Sequence, residues 1–290
     1  MKTDRRHFLA AAGGLALSPL LARAHRRTPR VLTLEYHATE MALALGIVPV
    51  GVADPKGYAR WVGVGKDQLR HVASVGNRQQ PSIEAMARLQ PDLIIAVGFR
   101  HASLRGLFER IAPTLMLPNP EQDGLAGVYS DYRSVGAALG LASRAEQALQ
   151  QLDAQIATER LRLQAAGWAG KPLAILQGLG GVSQMWAFAG NSVPGGIQKA
   201  LGLTGPWMGI TARQGVDTKT VEDLLSLDTT LALLSDGRPG ASKSTIWQQV
   251  PAVKQGRLIE LPAGLWPFGG PVSTPNLVHA LSSALLRVAN

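Results

Sequence analysis

The amino-acid sequence predicts an α/β protein made of two Rossmann-like lobes that a single long α-helix joins. Two observations lead to this prediction. Short β-branched runs alternate with helical segments on both sides of the chain's midpoint, and this alternation is typical of lobes with mainly parallel sheets. Between the two halves lies a long segment with helical periodicity, residues 143–166. We therefore expect an N-terminal lobe over 25–142, a bridging helix over 143–168 and a C-terminal lobe over 169–290.

Short apolar runs mark the expected strands of both lobes. Before the bridging helix they cover 31–34, 48–53, 71–75, 93–97 and 114–117. After it they cover 173–179, 185–189, 231–234 and 258–261. In the first half, segments 39–45 and 82–89 are expected helices that end at Gly46 and before Pro91.

The bridging helix has a start signal, an apolar face and a stop signal. Ser143, with Glu146 three residues later, matches a capping box. At about 1.5 Å per residue, the segment would form a rod of about 36 Å. The residues that end the run are Gly167, Gly170 and Pro172. The apolar residues at helical spacing are Leu149, Leu152, Ile156 and Leu163.

The two halves contain similar local units. Residues 81–89 lead into the run 92–98, and residues 219–227 lead into the run 230–237. Each unit is predicted to be a capped helix with an early glutamate, followed by a buried strand. Glu84 and Glu222 occupy matching points of the two units.

The first twenty-four residues have the pattern of an export signal. Arg5 and Arg6 precede an apolar run over 8–21, and Ala22-Arg23-Ala24 supplies the small residues that signal peptidase requires. The paired arginines resemble the twin-arginine export signal. A membrane anchor is the alternative, but a span needs about twenty unbroken apolar residues. Residues 1–24 are therefore predicted to be a removable signal peptide.

Charge and cysteine content exclude several classes of protein. The formal net charge is +9 for the whole chain and +6 without residues 1–24, which carry four basic and one acidic side chains. The remaining charges are scattered, whereas nucleic-acid-binding proteins concentrate them on one face, so we expect a mild preference for anionic ligands and no nucleic-acid partner. With no cysteine, disulfides, thiolate metal sites, a cysteine nucleophile and lipid attachment through an N-terminal cysteine are excluded.

Reactive constellations are missing from the sequence. Segment 190–195 lacks the spacing of a nucleophile elbow, and segment 63–66 lacks that of a phosphate-binding loop. Histidines 37, 71, 101 and 279 do not have the spacing of a metal site. We expect no enzyme activity, no resident metal and no cofactor.

Aromatic and basic side chains instead collect in the loops that follow predicted strands. Ligands bind at the carboxyl ends of the strands in parallel sheets, and tryptophan is unusually frequent, with six residues against five phenylalanines and four tyrosines. Any one of these rings could simply cover a loop edge, but that reading is weaker for Arg78, Trp61 and Trp266 together. The complete set is Trp61, Arg78, Phe99, Arg100, Trp207, Trp266 and Phe268.

The sequence resembles the periplasmic iron(III)-hydroxamate (ferrichrome-type) siderophore-binding proteins of ABC importers. The resemblance extends over essentially the whole chain after residues 1–24, and its most specific part is the run ending in Gly51-Val52-Ala53-Asp54. It implies a class III periplasmic binding protein that holds a ferric siderophore between its lobes. Such a protein is monomeric, catalyses no reaction and delivers its ligand to an inner-membrane permease. The similar segments are 31–36, 43–54, 58–61, 75–78, 91–92, 110–113, 188–192, 256–258, 261–263 and 266–269.

The resemblance also implies roles for individual residues. The ligand arginine of the family falls on Arg78, whose planar guanidinium would donate to the hydroxamate oxygens. Aromatic contacts to the organic frame fall on Tyr36, Trp61, Trp266 and Phe268. Glu84 and Glu222 match the glutamates that dock on the permease, although a glutamate in the first turn of a helix is also favoured by the helix dipole alone.

The chain departs from the family pattern at two places. Phe99 stands where the family has a cleft tyrosine, and Arg100 is a candidate substitute for the lost hydroxyl donor. Gln214 stands near a family tryptophan, with Trp207 nearby. A haem or cobalamin carrier on the same scaffold remains an alternative, although haem would require an axial tyrosine or histidine. An exported hydrolase is less favoured because no nucleophile–base pair can be assembled.

Overall fold

The computed structural model describes residues 27–118, 124–179, 183–234 and 244–288. The predicted signal peptide lies outside these residues. The described chain forms two α/β lobes, as the sequence predicted. Each lobe has a five-stranded sheet, and the strand at 216–220 of the second lobe was not expected. Within the described ranges, no helix is both long enough and apolar enough to span a membrane.

The sheet of the N-terminal lobe is entirely parallel, with the strand order β3-β2-β1-β4-β5. Because all strands run the same way, their carboxyl ends lie along one edge. The strands are β1 (Val31–Thr33), β2 (Gly51–Val52), β3 (Ala73–Ser74), β4 (Leu93–Val97) and β5 (Thr114–Leu117). The helices are α1 (Tyr36–Ala44), α2 (Pro55–Trp61), α3 (Ile83–Arg88), α4 (Gly98–His101), α5 (Arg105–Glu109) and α6 (Gly124–Ala138).

The long helix, α7, spans Ala142–Ala165. Leu141 precedes it without a side-chain cap, so the predicted capping box is wrong: Ser143 lies inside the first turn, and Glu146 instead pairs with Arg133 of α6 at 2.8 Å. The predicted apolar face is buried along its whole length. Leu149 belongs to the core of the N-terminal lobe and Leu152 to that of the C-terminal lobe, so α7 packs on both lobes.

The sheet of the C-terminal lobe is mixed, with the order β10-β9-β6-β7-β8. β10, β9 and β6 are parallel, but β7 runs antiparallel to both β6 and β8, so the expectation of mainly parallel pairing fails on one side of this sheet. The strands are β6 (Leu173–Gly178), β7 (Gln184–Phe188), β8 (Val216–Thr220), β9 (Thr230–Leu234) and β10 (Leu258–Leu261). The helices are α8 (Val193–Ala200), α9 (Pro251–Lys254) and α10 (Ser273–Val288).

The predicted local similarity of the two halves is only partly confirmed. In the first unit, Ser82 caps α3 by accepting the backbone N–H of Ala85 at 3.2 Å. In the second unit, residues 216–220 form the edge strand β8, and only a 3₁₀-helix, Glu222–Ser226, follows. The predicted helix over 219–227 is therefore wrong. Glu84 and Glu222 are both exposed.

Side chains alternate between the two faces of each sheet, and helices cover both faces. Along β6, Leu173 and Ile175 belong to the core beneath α7, α8 and α10. Their neighbours Ala174 and Leu176 face the opposite core, which contains Trp247. Both faces of the sheet are thus buried, and its strand ends remain available for a site.

Candidate ligand-binding cleft

A cleft of about 490 Å³ lies between the lobes. On the N-terminal side it is lined by the segments that follow the carboxyl ends of β1, β2, β3 and β4. On the other side it is lined by parts of β6 and β7, the start of α8, the turn at Gln214 and the loop after β10. The lining residues are Glu35, Tyr36, His37, Arg60, Trp61, Arg78, Phe99, Arg100, Gly124, Gln177, Gly178, Leu179, Trp186, Asn191, Ser192, Val193, Gln214, Trp266 and Phe268.

A buried carboxylate joins two arginines in the N-terminal wall. Glu35 is 3% exposed; its Oε1 lies 2.5 Å from Arg78 Nη1 and its Oε2 lies 2.8 Å from Arg100 Nε. Oε1 also accepts the backbone N–H of Tyr36 at 3.0 Å. Burial by itself would raise the pKa of Glu35, but the charge of Arg78 and the hydrogen bonds from Arg78 and Tyr36 outweigh it and lower that pKa. Glu35 is therefore ionised at neutral pH and holds both guanidinium groups at the cleft surface.

Two further contacts orient Arg78. Its guanidinium carbon lies 3.8 Å from the centroid of the Tyr36 ring, a cation–π arrangement. Its backbone carbonyl lies 2.7 Å from His101 Nε2, while His101 Nδ1 accepts the backbone N–H of Val97 at 3.2 Å. Since Nδ1 accepts, Nε2 carries the proton and donates to Arg78. Burial lowers the pKa of His101, which agrees with this neutral tautomer.

Tyr36 is fixed from its other end by Asp54. The tyrosine hydroxyl donates to Asp54 Oδ2, while Asp54 Oδ1 caps α2 by accepting the backbone N–H of Gly57 at 3.0 Å. Burial and the hydrogen bond to Asp54 raise the pKa of Tyr36. A Cβ at Gly57 would overlap both side chains, so glycine is required here. This arrangement places Trp61, at the end of α2, beside the cleft.

Four aromatic rings form a continuous surface across both lobes, which we call the aromatic wall: Tyr36, Trp266, Phe268 and Trp186. Consecutive ring centroids are 5.5, 5.0 and 5.5 Å apart. Trp266 Nε1 and Gln177 Oε1, both in the lining, are buried with no hydrogen-bond partner among the described residues.

Most of the residues predicted for the site come together in the cleft. They are Tyr36, Trp61, Arg78, Phe99, Arg100, Gln214, Trp266 and Phe268. Trp207 is the exception: it is not among the lining residues, its side chain packs against the core of the C-terminal lobe, and its carbonyl accepts the backbone N–H groups of Gly190 and Ile210. The expectation of Trp207 in the cleft is corrected to Trp186 of β7. Gln214 adopts a left-handed conformation, with φ of 55°.

Sequence reasoning missed several lining residues for identifiable reasons. Glu35 lies two residues after β1, and it could have been identified because an acidic residue just beyond the carboxyl end of a buried strand is unusual. Trp186 lies inside β7, where a tryptophan is more expected in the core than in a loop-built site. Arg60 lies beside Trp61, with its guanidinium carbon 4.9 Å from the indole centroid.

The charge of the cleft is confined to one side. Arg60, Arg78 and Arg100 line the N-terminal wall, and Glu35 is the sole acidic residue in the lining that the structure describes. Burial lowers the pKa of His37, so this histidine is neutral at pH 7. The opposite wall offers neutral amide, hydroxyl and aromatic side chains. The cleft therefore suits a ligand with an electronegative, oxygen-rich part and an organic frame.

The Ser192 hydroxyl, which lines the cleft, has a structural role. Ser192 Oγ donates to the Ala189 carbonyl at 2.7 Å and accepts the backbone N–H of Gly195 at 2.9 Å, which caps α8. In the described parts of the chain, no group of three histidine, aspartate or glutamate side chains is placed to hold a metal ion.

Comparison with known proteins gives a consistent result. The profile of the family described as "Periplasmic binding protein" matches residues 31–265. The iron(3+)-hydroxamate-binding protein FhuD of Escherichia coli (strain K12) is 29% identical over 295 residues, 97% of this chain and 96% of that protein. The Fe(3+) dicitrate-binding periplasmic protein FecB of the same strain is 26% identical over 251 residues, 83% and 79% of the two chains. The crystal structure of Fe3+–Desferal-bound FhuD from Vibrio cholerae has a TM-score of 0.82 and 27% identity, and the match covers 91% of this chain and 100% of that one.

Proposed function

The chain belongs to the periplasmic binding protein family, and from this membership we propose that it captures a ferric hydroxamate siderophore in the cleft and delivers it to an ABC permease of the inner membrane. It is a binding protein, as its relatives are, and not an enzyme. The observation that carries the proposal is the arginine pair on Glu35 facing the aromatic wall. It provides charge-assisted donors for chelate oxygens on one side and an apolar surface for the organic frame on the other.

The proposed binding mode follows from this division of the cleft. Hydroxamate oxygens around iron keep negative character, and the planar guanidinium of Arg78 presents several N–H donors to them. Arg100 supplies the second set of donors beside Phe99, which has no hydroxyl. The iron stays inside its chelate as cargo, so the protein needs no metal ligands of its own.

The choice of hydroxamate rests on the two FhuD proteins, whose names and bound ligand specify that chemistry. Similarity to a protein named for ferric dicitrate supports the broader class of ferric chelates. Haem, which would require an axial tyrosine or histidine, is disfavoured at Tyr36 because its hydroxyl is engaged by Asp54. The Nε2 atom of His37 lies 3.8 Å from Asp131 Oδ2.

We also propose the cellular setting. Residues 1–24 are removed after twin-arginine export, and the mature chain, which begins at His25, acts in the periplasm as a monomer. Its parts are a lobe over 25–142, the bridging segment 143–168 and a lobe over 169–290. Glu84 and Glu222, exposed on different lobes, are the proposed contacts to the permease.

Intrinsic fluorescence of the mature protein tests the proposed ligand. Trp61, Trp186 and Trp266 line the cleft, so we expect saturable quenching by the Fe3+–Desferal complex. Ferric dicitrate, haem and cobalamin are titrated in parallel and are expected to give weaker responses or none. Saturable quenching by haem or cobalamin alone would contradict the proposed ferric hydroxamate ligand. If none of the four compounds quenched the fluorescence, the proposed carrier function would be wrong.

Replacing Trp186 by leucine is expected to weaken binding of Fe3+–Desferal about tenfold, since an aromatic contact contributes about 1.5 kcal/mol. Trp207→Leu is the matched control, because the Trp207 indole packs against the core outside the cleft. The affinity of this variant for Fe3+–Desferal should stay at the wild-type value. Isothermal titration of both variants measures the difference. Equal losses in the two variants would contradict the placement of Trp186 in the ligand site.

A further inference from the structure

Helix α1 contacts the loop after β10 at two points one turn apart. Tyr36 and Glu40 are four residues apart and therefore share one face of the helix. The Tyr36 ring meets Trp266 at 5.5 Å. Glu40 Oε1 accepts the backbone N–H groups of Val272 and Ser273 at 2.8 and 2.7 Å, and its Oε2 accepts the Ser273 hydroxyl at 2.6 Å.

The Glu40 contacts join the two lobes. Glu40 belongs to α1 of the N-terminal lobe, and its partners are the residue before α10 and the first residue of α10 in the C-terminal lobe. The first N–H groups of a helix have no partner within the helix, and a carboxylate satisfies them with favourable dipole interaction. Glu40 is 0% exposed, so water cannot readily replace these three hydrogen bonds.

The same contact fixes one end of the loop that carries two rings of the aromatic wall. The loop runs from the end of β10 to α10 and contains Trp266 and Phe268. Gly270 lies directly against the Glu40 carboxylate, with φ of 126°, and a Cβ there would overlap both carboxylate oxygens. The close approach of this loop to α1 thus depends on a glycine and a carboxylate together.

We propose that Glu40 is a positioning residue for the ligand site: through the start of α10 it sets the position of Trp266 and Phe268 relative to Tyr36 and Arg78. The inference rests on the proposed function, because it assigns these aromatic side chains to ligand binding. A residue that only capped α10 would contribute to stability and leave the cleft unchanged.

The chemistry of the contact identifies the informative substitutions. Burial raises the pKa of Glu40 to about 7, against the opposing effect of its hydrogen bonds to Ser273 and Val272. The neighbouring titratable groups are Tyr58 and Tyr132, whose pKa values are raised by burial and, to a smaller extent, by the Glu40 charge. Because the Glu40 pKa is about 7, the neutral form of this side chain is readily reached, and a neutral side chain of the same shape is tolerable here. Glu40→Gln keeps the oxygen that accepts both N–H groups and can donate to the Ser273 hydroxyl, whereas Glu40→Ala removes every acceptor.

The test compares Glu40→Ala, Glu40→Gln and Ser273→Ala in the mature protein by two measurements. Near-ultraviolet circular dichroism of the unliganded protein reports the packing of the tryptophans, and titration with Fe3+–Desferal reports affinity. We expect Glu40→Ala to change the spectrum and to lower affinity about tenfold through lost preorganisation. Glu40→Gln should retain the wild-type spectrum and affinity. Ser273→Ala, which removes one hydrogen bond and is the milder substitution, should change both measurements in the direction of Glu40→Ala.

Glu159→Ala is the matched control for stability. Glu159 is also a buried carboxylate, but it lies on α7 with Arg162 and His279 as its partners, away from the loop. It should lower the melting temperature without changing the spectrum or the affinity. The proposal is overturned if folded Glu40→Ala, or Ser273→Ala where Glu40→Ala does not fold, keeps both the wild-type spectrum and affinity. If wild-type protein does not bind the chelate, the proposed function fails, and the spectra still decide whether Glu40 positions the loop.

Discussion

Replacement of Arg78 by alanine is expected to lower the affinity for Fe3+–Desferal at least about 100-fold. Loss of two charge-assisted hydrogen bonds accounts for about 3 kcal/mol, which corresponds to that factor. The guanidinium is held in place before the ligand arrives, since it contacts Glu35 at 2.5 Å and lies over Tyr36 at 3.8 Å. Little side-chain entropy is therefore lost on binding. Isothermal titration calorimetry gives the two dissociation constants.

Two further variants separate charge and geometry from general effects on the protein. Arg78→Lys keeps the charge but loses the planar donors, and we expect a loss of about tenfold, between those of wild type and the alanine variant. Arg70→Ala removes an exposed arginine that pairs with Asp67 on the surface and should leave affinity unchanged. Wild-type affinity in the Arg78→Ala variant would contradict the assignment of Arg78 to the ligand site.

Substitution of Glu35 by glutamine is expected to destabilise the protein by about 2–3 kcal/mol. Breaking a buried ion pair is costly because a charge is left without its partner. Here two guanidinium groups lose one shared carboxylate. Their side chains are partly exposed, 21% for Arg78 and 23% for Arg100, so water can solvate them and the expected cost is lower than for a fully buried pair. Urea unfolding at neutral pH measures the difference. Glu146→Gln, which breaks an exposed pair with Arg133, is the control and should have no measurable effect.

The Glu35 effect should also depend on pH in a defined direction. The pKa of Glu35 is lowered in the folded protein from an ordinary value of 4.5, so its stabilising contribution is present above about pH 4.5 and is lost as the pH falls through the folded value. The stability difference between wild type and Glu35→Gln should therefore shrink in acid. Burial raises the pKa values of Glu40 and Asp131 to about 7. Their titration changes the stability of wild type and Glu35→Gln equally and therefore cancels in the difference. A constant difference down to the acid transition would contradict this account.

Elements with buried apolar runs could be predicted from sequence, and elements without them could not. β4, β6 and β9 are buried and almost entirely apolar, and each was expected near its observed bounds. β8 has the sequence Val-Asp-Thr-Lys-Thr and lies at a sheet edge with half-exposed side chains. Its hydrophobic pattern is too weak to distinguish from a loop. The direction of β7 could not be predicted from its own sequence either, because antiparallel pairing depends on which strands lie beside it.

The candidate site follows the same division. Arg78, Phe99 and Arg100 follow strands of a wholly parallel sheet, so the rule that such strand ends share one edge was enough to bring them together. The C-terminal wall follows no such rule, since β7 and β8 break the parallel order. This is why Trp207 was expected in the cleft and Trp186 occupies it. The pairing of Glu35 with two arginines joins residues 43 and 65 positions away along the chain.

By itself, the sequence determined the two-lobed α/β architecture, the long helix between the lobes and the basic and aromatic character of the cleft. These properties follow from local periodicity and from the order of elements along the chain. Only the tertiary structure decided which tryptophan faces the ligand, that one buried carboxylate holds both arginines, and that Glu40 connects α1 to the loop of the other lobe. Each of these depends on the distance and orientation of side chains that are remote in sequence. The order and direction of the strands set those distances within a lobe, and the packing of one lobe on the other sets the distance between Glu40 and the loop.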